Sequence, residues 1–120
     1  MANLNKALIK VAKREFHAKG KLLKVKINGR EVAIVITFHA RERMEKWVIN
    51  EDNLLETLIF PEEVLIGHGD RFIAHRRYGD HIVRAVYEYE GRKAVIITVY
   101  FPLENRYFQG GGNYEDKILA

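Results

Sequence analysis

The stretch from Arg71 to Tyr107 limits what this chain can fold into more than any other, because turn signals divide it into short β-branched and aromatic segments. The turns are predicted at Gly79-Asp80 and at Glu90–Arg92. The three strand-like segments around them are Arg71–Tyr78, His81–Tyr89 and Ala94–Phe101. The pattern therefore predicts an antiparallel meander of three strands.

A two-residue turn at Gly79-Asp80 sets the register of the first two of these strands. It places three pairs of residues opposite each other, namely Arg77 and Ile82, His75 and Arg84, and Arg71 and Glu88. Because side chains alternate between the two faces of a strand, His75, Arg77 and Arg84 then share one face. Like charges on neighbouring strands repel each other. The cluster therefore predicts an anionic partner at this face.

The same alternation can be carried through the second turn, taken at Glu90-Gly91. It places Arg84 opposite Ile97 and Glu88 opposite Lys93, and it puts Thr98 and Tyr100 on the face away from His75. A β-bulge would change this partition, because one extra residue moves every later side chain to the other face.

The segments before the meander predict a mixture of helices and strands. Residues Leu4, Leu8, Val11, Ala12 and Phe16 recur at helical spacing, which predicts an amphipathic N-terminal helix that stops at Gly20. Asn28-Gly29 lies between two β-branched runs and predicts a tight hairpin. Two helices are then expected, one through Arg41–Trp47 and one that Asn50 caps and Pro61 ends.

Composition favours a single-domain protein that resides in the cytoplasm. The 120 residues contain no cysteine, and no apolar run approaches the ~20 residues that cross a bilayer. Lys and Arg number 20 against 16 Asp and Glu, which gives a net charge of +4. The basic residues are dense between Arg71 and Arg84, and this favours a nucleic-acid partner. Abundant Lys, Glu, Val and Ile are compatible with a thermophilic source.

The basic face suits metal-independent cleavage of RNA. Attack by a 2′-hydroxyl needs an acid and a base, together with cations for the charge that builds on phosphorus. His75 can move a proton near neutral pH, and Arg77 and Arg84 can hold phosphate oxygens. The alternative is a surface ladder of ion pairs through Arg71, Glu88 and Lys93, beside an ordinary exposed histidine. No cofactor is expected, because the five histidines lack the spacing of metal ligands.

Several of these segments together resemble a known family. The matching stretches are His39–Met44, Ile49, an acidic helix with Pro61-Glu62, Arg84–Tyr87 and Val95–Tyr100. They resemble the domain of unknown function 4258, which is similar to the RelE/ParE toxins and to BrnT-like ribonuclease toxins. The resemblance extends from about Phe38 to Tyr107. Where the family usually has Arg-Gly, this chain has Trp47-Val48.

The resemblance implies a fold and a set of site residues. The fold is an α+β, RelE-like antiparallel sheet backed by two helices, here with an extra N-terminal helix and β-hairpin. In such toxins two basic residues lie nine and seven positions before a strand arginine, as His75 and Arg77 do before Arg84. Glu104–Tyr107 is similar to the element after the last strand, so Arg106 and Tyr107 are expected to complete the site.

These observations lead to one set of expectations. Residues 1–120 form one domain, with an extension at 1–37, a RelE-like core at 38–107 and a Gly-rich tail at 108–120. His75, Arg77, Arg84, Arg106 and Tyr107 are the candidate catalytic residues, and His39, Arg43 and Arg71 are the candidate substrate-binding residues. The expected function is that of a toxin-like endoribonuclease. Its expected partners are RNA or the ribosome, an antitoxin-like protein or a second copy, and no membrane. The alternative is a non-catalytic module that binds RNA or protein.

Overall fold

A computed structural model describes residues 9–108, which form seven strands and three short helices. The strands are β1 (Ile9–His17), β2 (Gly20–Ile27), β3 (Arg30–Thr37), β4 (Glu63–Ile66), β5 (Arg71–Tyr78), β6 (His81–Glu90) and β7 (Lys93–Tyr100). The helices are α1 (Phe38–Trp47), α2 (Glu51–Ile59) and α3 (Glu104–Tyr107). None of the helices in the described part of the chain has the length and hydrophobicity of a transmembrane span.

All seven strands belong to one mixed sheet in the order β1-β2-β3-β7-β6-β5-β4. The central pair, β3 and β7, is parallel, and every other pair is antiparallel. Ile34, Val35 and Ile36 on β3 are all at most 2% exposed, so this strand is buried on both faces. Continuous apolar runs are typical of such interior strands. Helix α1 packs against β7 and β3, and α2 packs against β5 and β6, so the apolar core lies between the helices and one face of the sheet.

The expected fold class is wrong. Strands hold 56% of the described residues and helices 23%, so the protein is dominated by its sheet and is not a RelE-like antiparallel sheet backed by two helices. The difference arises at the N-terminus, where the extension is continuous with the main sheet. Because β3 pairs in parallel with β7, the strands β1 to β3 enlarge the sheet from four strands to seven.

The prediction of an N-terminal helix is also wrong for those of its residues that the structure describes. Ile9–His17 is the edge strand β1, paired along its length with β2. Ile9 and Val11 pack against the core, but Phe16 is 86% exposed. The apolar residues therefore belong to a strand that has a bulge after Val11. Pairing with β2 satisfies the backbone hydrogen bonds of this segment, and a short pattern of apolar residues does not reveal such pairing. Leu4 and Leu8 lie outside the described residues, as do residues 109–120 of the predicted tail.

Two glycine-containing positions explain how the N-terminal strands connect. Asn28 and Gly29 have φ angles of 50° and 81°, as a tight hairpin turn requires, so the predicted hairpin is confirmed. A side chain at Gly20 would place its Cβ only 2.1 Å from the carbonyl oxygen of Ile36. This close approach of β2 to β3 explains why a glycine begins the strand.

Two helices lie where two were predicted, although α1 begins at Phe38, three residues before Arg41, and side chains cap the N-terminal ends of both. Thr37 Oγ1 accepts a hydrogen bond from the Ala40 amide at 3.1 Å, and Asn50 Oδ1 accepts one from Asn53 at 2.8 Å. Helix α1 ends at Val48, which adopts the left-handed conformation at φ 55° and ψ 43°. Amides of Val48 and Ile49 bond back to the last turn, which makes this a Schellman motif built without glycine.

The register of the meander is confirmed in its first half and wrong in its second. His75 pairs with Arg84 and Arg71 pairs with Glu88, as predicted. However, Arg84 lies opposite Tyr100 and not Ile97, and Glu88 lies opposite Val95. Strand β6 extends to Glu90, and a bulge between Val86 and Tyr87 skips one residue of β7. Thr98 and Tyr100 therefore lie on the face of Arg84, opposite to the prediction.

Candidate functional site

A buried chain of polar side chains connects three strands beneath the predicted site. His75 on β5 is completely buried, and Glu63 on β4 is 2% exposed. His75 Nδ1 lies 2.6 Å from Glu63 Oε2, and His75 Nε2 lies 2.8 Å from Arg84 Nη1. Both ring nitrogens are therefore engaged inside the protein. His75 does not face solvent as a proton donor or acceptor for a substrate.

The partners of His75 determine its tautomer. A guanidinium only donates, so His75 Nε2 accepts from Arg84, and Nδ1–H donates to the Glu63 carboxylate. Burial lowers the pKa of His75 most strongly and the charge of Arg84 lowers it further, while Glu63 opposes both. The neutral ring is thus the form that fits these contacts. Its position makes His75 a group that orients Arg84.

Arg84 forms the floor of a pocket where the chain leaves β7. The pocket has a volume of about 500 Å³. It is lined by Trp47, Arg84, Tyr100, Phe101, Pro102, Arg106 and Tyr107. The Arg84 guanidinium lies 4.3 Å from the centre of the Tyr107 ring, which is a cation–π contact. Burial lowers the pKa of Arg84, although it remains a cation at neutral pH.

The lining of this pocket combines positive charge with exposed aromatic surface. It includes two arginines, and no carboxylate is present among the described residues that line it. Trp47, Tyr100 and Tyr107 are 39%, 40% and 42% exposed, so each ring is anchored in the protein and still offers surface to a ligand. Such a combination suits a planar, negatively charged ligand.

Backbone hydrogen bonds place α3 beside Arg84. The Ile82 amide donates to the Pro102 carbonyl, and the Glu104 amide donates to the Asp80 carbonyl, each at 2.9 Å. The ring of Phe101 stacks on His81 with centroids 4.7 Å apart. The chain after β7 is thereby held against the turn between β5 and β6. This connection brings Arg106 and Tyr107 to the pocket that Arg84 lines.

Arg77 is held away from this pocket by acidic neighbours. Its guanidinium donates to Glu62 Oε2 at 2.6 Å and 3.0 Å, and it lies 3.5 Å from Glu104 Oε2. The guanidinium also lies 4.7 Å from the centre of the Phe108 ring. Hydrogen bonds to Glu62 raise the pKa of Arg77. Its charge is thus balanced within the protein, and it does not line the pocket.

The three predicted substrate-binding residues lie outside the pocket lining. His39 is exposed at the start of α1, with Nε2 3.2 Å from Thr98 Oγ1. Arg43 lies one turn further along α1 and is half-buried. Arg71 is at the beginning of β5, with Nε 3.7 Å from Glu88 Oε2. The structure thus brings together Arg84, Arg106 and Tyr107 and leaves His39, Arg43 and Arg71 apart from them.

Sequence reasoning missed three residues of this region. Trp47 lines the pocket, and the sequence pointed to it only through the departure of Trp47-Val48 from the expected Arg-Gly. Tyr100 was assigned to the wrong face because the bulge in β6 and β7 has no clear sequence signal. Glu63 is buried against His75, and no prediction from the sequence placed it there.

One comparison with known proteins identifies the chain. Residues 36–101, more than half of the 120, match the family described as Domain of unknown function (DUF4258). The chain belongs to this family. No curated protein and no solved structure matches it. The DUF4258 match includes Trp47, His75, Arg84 and Tyr100 but ends before Arg106 and Tyr107, so the pocket combines family positions with the segment that follows them.

Proposed function

We propose that this DUF4258 protein binds single-stranded RNA in the pocket of Arg84. Arg84 and Arg106 would hold backbone phosphate oxygens, and Trp47, Tyr100 and Tyr107 would contact a base. The observation that carries the proposal is the pocket itself, where two arginines and three partly exposed aromatic rings occur without a carboxylate in its described lining. Proteins bind single strands by pairing cationic grooves with aromatic stacking surfaces.

The fixed position of Arg84 supports phosphate binding. Its Nη1 donates to the buried His75, and its guanidinium stacks on Tyr107. An arginine held in this way loses little conformational entropy when a phosphate binds, and its other N–H groups can donate to the ligand. A pocket of about 500 Å³ lies in the range expected for nucleotide-sized ligands.

Cleavage of the bound RNA is a second candidate, and the position of Tyr107 favours it. Tyr107 has a phenolic hydroxyl and lies in the pocket beside Arg84. In the reaction the 2′-oxygen attacks phosphorus and the bond to the 5′-oxygen breaks, which leaves a 2′,3′-cyclic phosphate and a 5′-hydroxyl. Tyr107 would give its phenolic proton to the departing 5′-oxygen and take one from the attacking 2′-hydroxyl, and the arginines would stabilise the charge on phosphorus. This activity is the one implied by the resemblance to RelE-like and BrnT-like toxins. An antitoxin-like partner and binding to the ribosome remain predictions.

Binding to labelled single-stranded RNA tests the first candidate. Fluorescence anisotropy over a series of salt concentrations should give a steep dependence of affinity on salt, because each phosphate contact releases counterions. Arg84→Ala and Arg106→Ala should each weaken binding by about tenfold or more. Arg92→Ala, in the exposed turn before β7, is the matched control and should bind like the wild type. Equal affinity of all four proteins would disprove RNA binding at this pocket.

Product analysis separates the two candidates. The same RNA is incubated with wild type, Tyr107→Phe and Arg84→Ala, and the products are compared with those from an oligonucleotide that lacks its 2′-hydroxyls. A cleaving protein gives cyclic phosphate ends that disappear in both variants and with the deoxy substrate. Tight binding with intact RNA would assign the protein to the non-catalytic class.

A further inference from the structure

A second aromatic and basic surface lies at the beginning of α1, away from the Arg84 pocket. Phe16 on β1 is 86% exposed and Phe38 on α1 is 52% exposed, and both line one cavity of about 270 Å³. We call this the Phe16–Phe38 cleft. Exposing large apolar side chains to water is unfavourable, so neighbouring side chains with this much exposure are typical of a surface that a partner covers. Packing in the core therefore does not explain why Phe16 and Phe38 are phenylalanines.

The charges around the cleft are mainly positive. Its lining contains Arg14, Lys21 and Arg41 and one acid, Glu15. Arg14 is tied to Glu51 by a 2.6 Å hydrogen bond, and Lys21 Nζ lies 3.8 Å from the same carboxyl group. Arg41 is exposed and has no ion pair with any of residues 9–108. An anionic ligand with flat aromatic groups fits this combination better than an apolar peptide does.

Helix α1 connects the cleft to the Arg84 pocket. Phe38 begins the helix and Trp47 ends it, so a rise of ~1.5 Å per residue separates their positions by about 14 Å along the axis. His39, Arg43 and Trp47 follow each other at intervals of four residues and form one stripe along the helix. The stripe supplies cationic or titratable groups between the two aromatic surfaces. About four nucleotides would cover this distance at the ~3.4 Å spacing of a stacked strand.

We infer that the Phe16–Phe38 cleft is a second contact site for the same RNA strand, with a base stacked on the phenylalanine rings and phosphates on Lys21 and Arg41. This inference rests on the proposed RNA binding at the Arg84 pocket. It adds a minimum length to the ligand, because a strand must extend along α1 to reach both sites. It also gives β1 and β2, which lie outside the matched family region, a role in binding.

The test compares a short and a long oligonucleotide. Single-stranded RNAs of about two nucleotides, too short to reach from one site to the other, and of about twelve nucleotides are titrated with the wild type and with the Phe16→Ala/Phe38→Ala variant. The double variant should bind the long RNA at least about fivefold more weakly and leave affinity for the short RNA unchanged. Ile66→Ala, on the edge strand β4 with 81% exposure, is the matched control and should change neither affinity. Arg41→Glu should act like the double variant without removing an aromatic ring.

Each alternative result is informative. Unchanged affinity of the double variant and of Arg41→Glu for the long RNA would overturn the second site while the Arg84 pocket still binds. Failure of the wild type to bind either RNA would overturn the proposed function and this inference together. Sedimentation of the double variant is measured as well. A loss of self-association without a loss of RNA affinity would show that the cleft contacts a second copy of the chain, which also overturns the inference.

Discussion

His75 Nε2 accepts a hydrogen bond from Arg84 Nη1 over 2.8 Å, inside the sheet and below the floor of the pocket. The imidazole is completely buried and also binds Glu63. A residue that the sequence suggested as an acid or base is therefore a positioning residue for an arginine. This relationship moves the candidate chemistry from His75 to the groups that line the pocket.

Replacement of Arg84 by lysine should not be conservative. A lysine ammonium can donate to His75, but it lacks the planar guanidinium that contacts the Tyr107 ring and cannot hold a phosphate with two parallel hydrogen bonds. We expect Arg84→Lys to bind single-stranded RNA about tenfold more weakly, as measured by fluorescence anisotropy. Arg77→Lys provides the control, because Arg77 is bound to Glu62 and lies outside the pocket. Similar losses in both variants would argue against a specific role for Arg84.

Stability should decrease in mild acid because of His75. Its pKa in the folded protein lies below the ordinary value, chiefly through burial, so the unfolded chain binds more protons in this range. The neutral His75 side chain therefore makes its full contribution to stability above about pH 6.5. This contribution is lost as the pH falls through the pKa of His75 in the folded protein. Urea unfolding at a series of pH values measures the effect. The His75→Gln variant should show a flatter dependence, and an unchanged slope would contradict this account.

Glu63 and His75 should be strongly coupled in stability. His75→Ala removes the hydrogen bond to a carboxyl group that is 2% exposed, and this should lower the free energy of unfolding by roughly 3 kcal/mol. The double variant Glu63→Leu/His75→Ala should lose less than the sum of the two single variants. A double-mutant cycle measured by urea unfolding gives the coupling energy. Simple additivity would indicate that the two side chains do not act as a pair.

Replacement of Val48 by glycine should stabilise the protein. Val48 is β-branched and has a φ of 55°, and its side chain is 89% exposed, so little packing offsets the strain. Val48→Gly should raise the free energy of unfolding by about 1 kcal/mol, which thermal unfolding can detect. Val48→Ala keeps a Cβ at the same backbone angles and should gain less. A lower melting temperature for the glycine variant would contradict the assignment of strain.

Gly20 should not tolerate alanine. Its Cβ would lie 2.1 Å from a backbone oxygen of β3, and relief requires the two strands to move apart. We expect Gly20→Ala to destabilise the protein by roughly 3 kcal/mol, at the upper end of common overpacking effects. Gly29→Ala is the comparison, because its Cβ would meet open space and only its φ of 81° is unfavourable. Urea unfolding compares the stabilities of the two variants. An equal loss of stability would show that the close contact at Gly20 is not the cause.

Short-range signals in the sequence were sufficient to predict much of the local structure. Asn28-Gly29 and Gly79-Asp80 specify tight turns through backbone angles that few residues adopt, and such turns set the register of the strands they join. Asn50 similarly marks the start of α2 through a local hydrogen bond. From these signals the sequence by itself determined that His75 lies opposite Arg84 and that Arg106 and Tyr107 follow the last strand.

Only the tertiary structure decided how distant segments pair and which side chains they bury. The parallel contact of β3 with β7 and the pairing of β1 with β2 depend on strands whose partners are not marked by a local pattern. The bulge that turns Tyr100 toward Arg84 occurs between Val86 and Tyr87, inside a short apolar run of β6. The burial of His75 depends on Glu63, twelve residues earlier in the chain. Hydrogen bonding and desolvation act on the folded neighbourhood of a residue, and that neighbourhood exists only after the sheet has assembled.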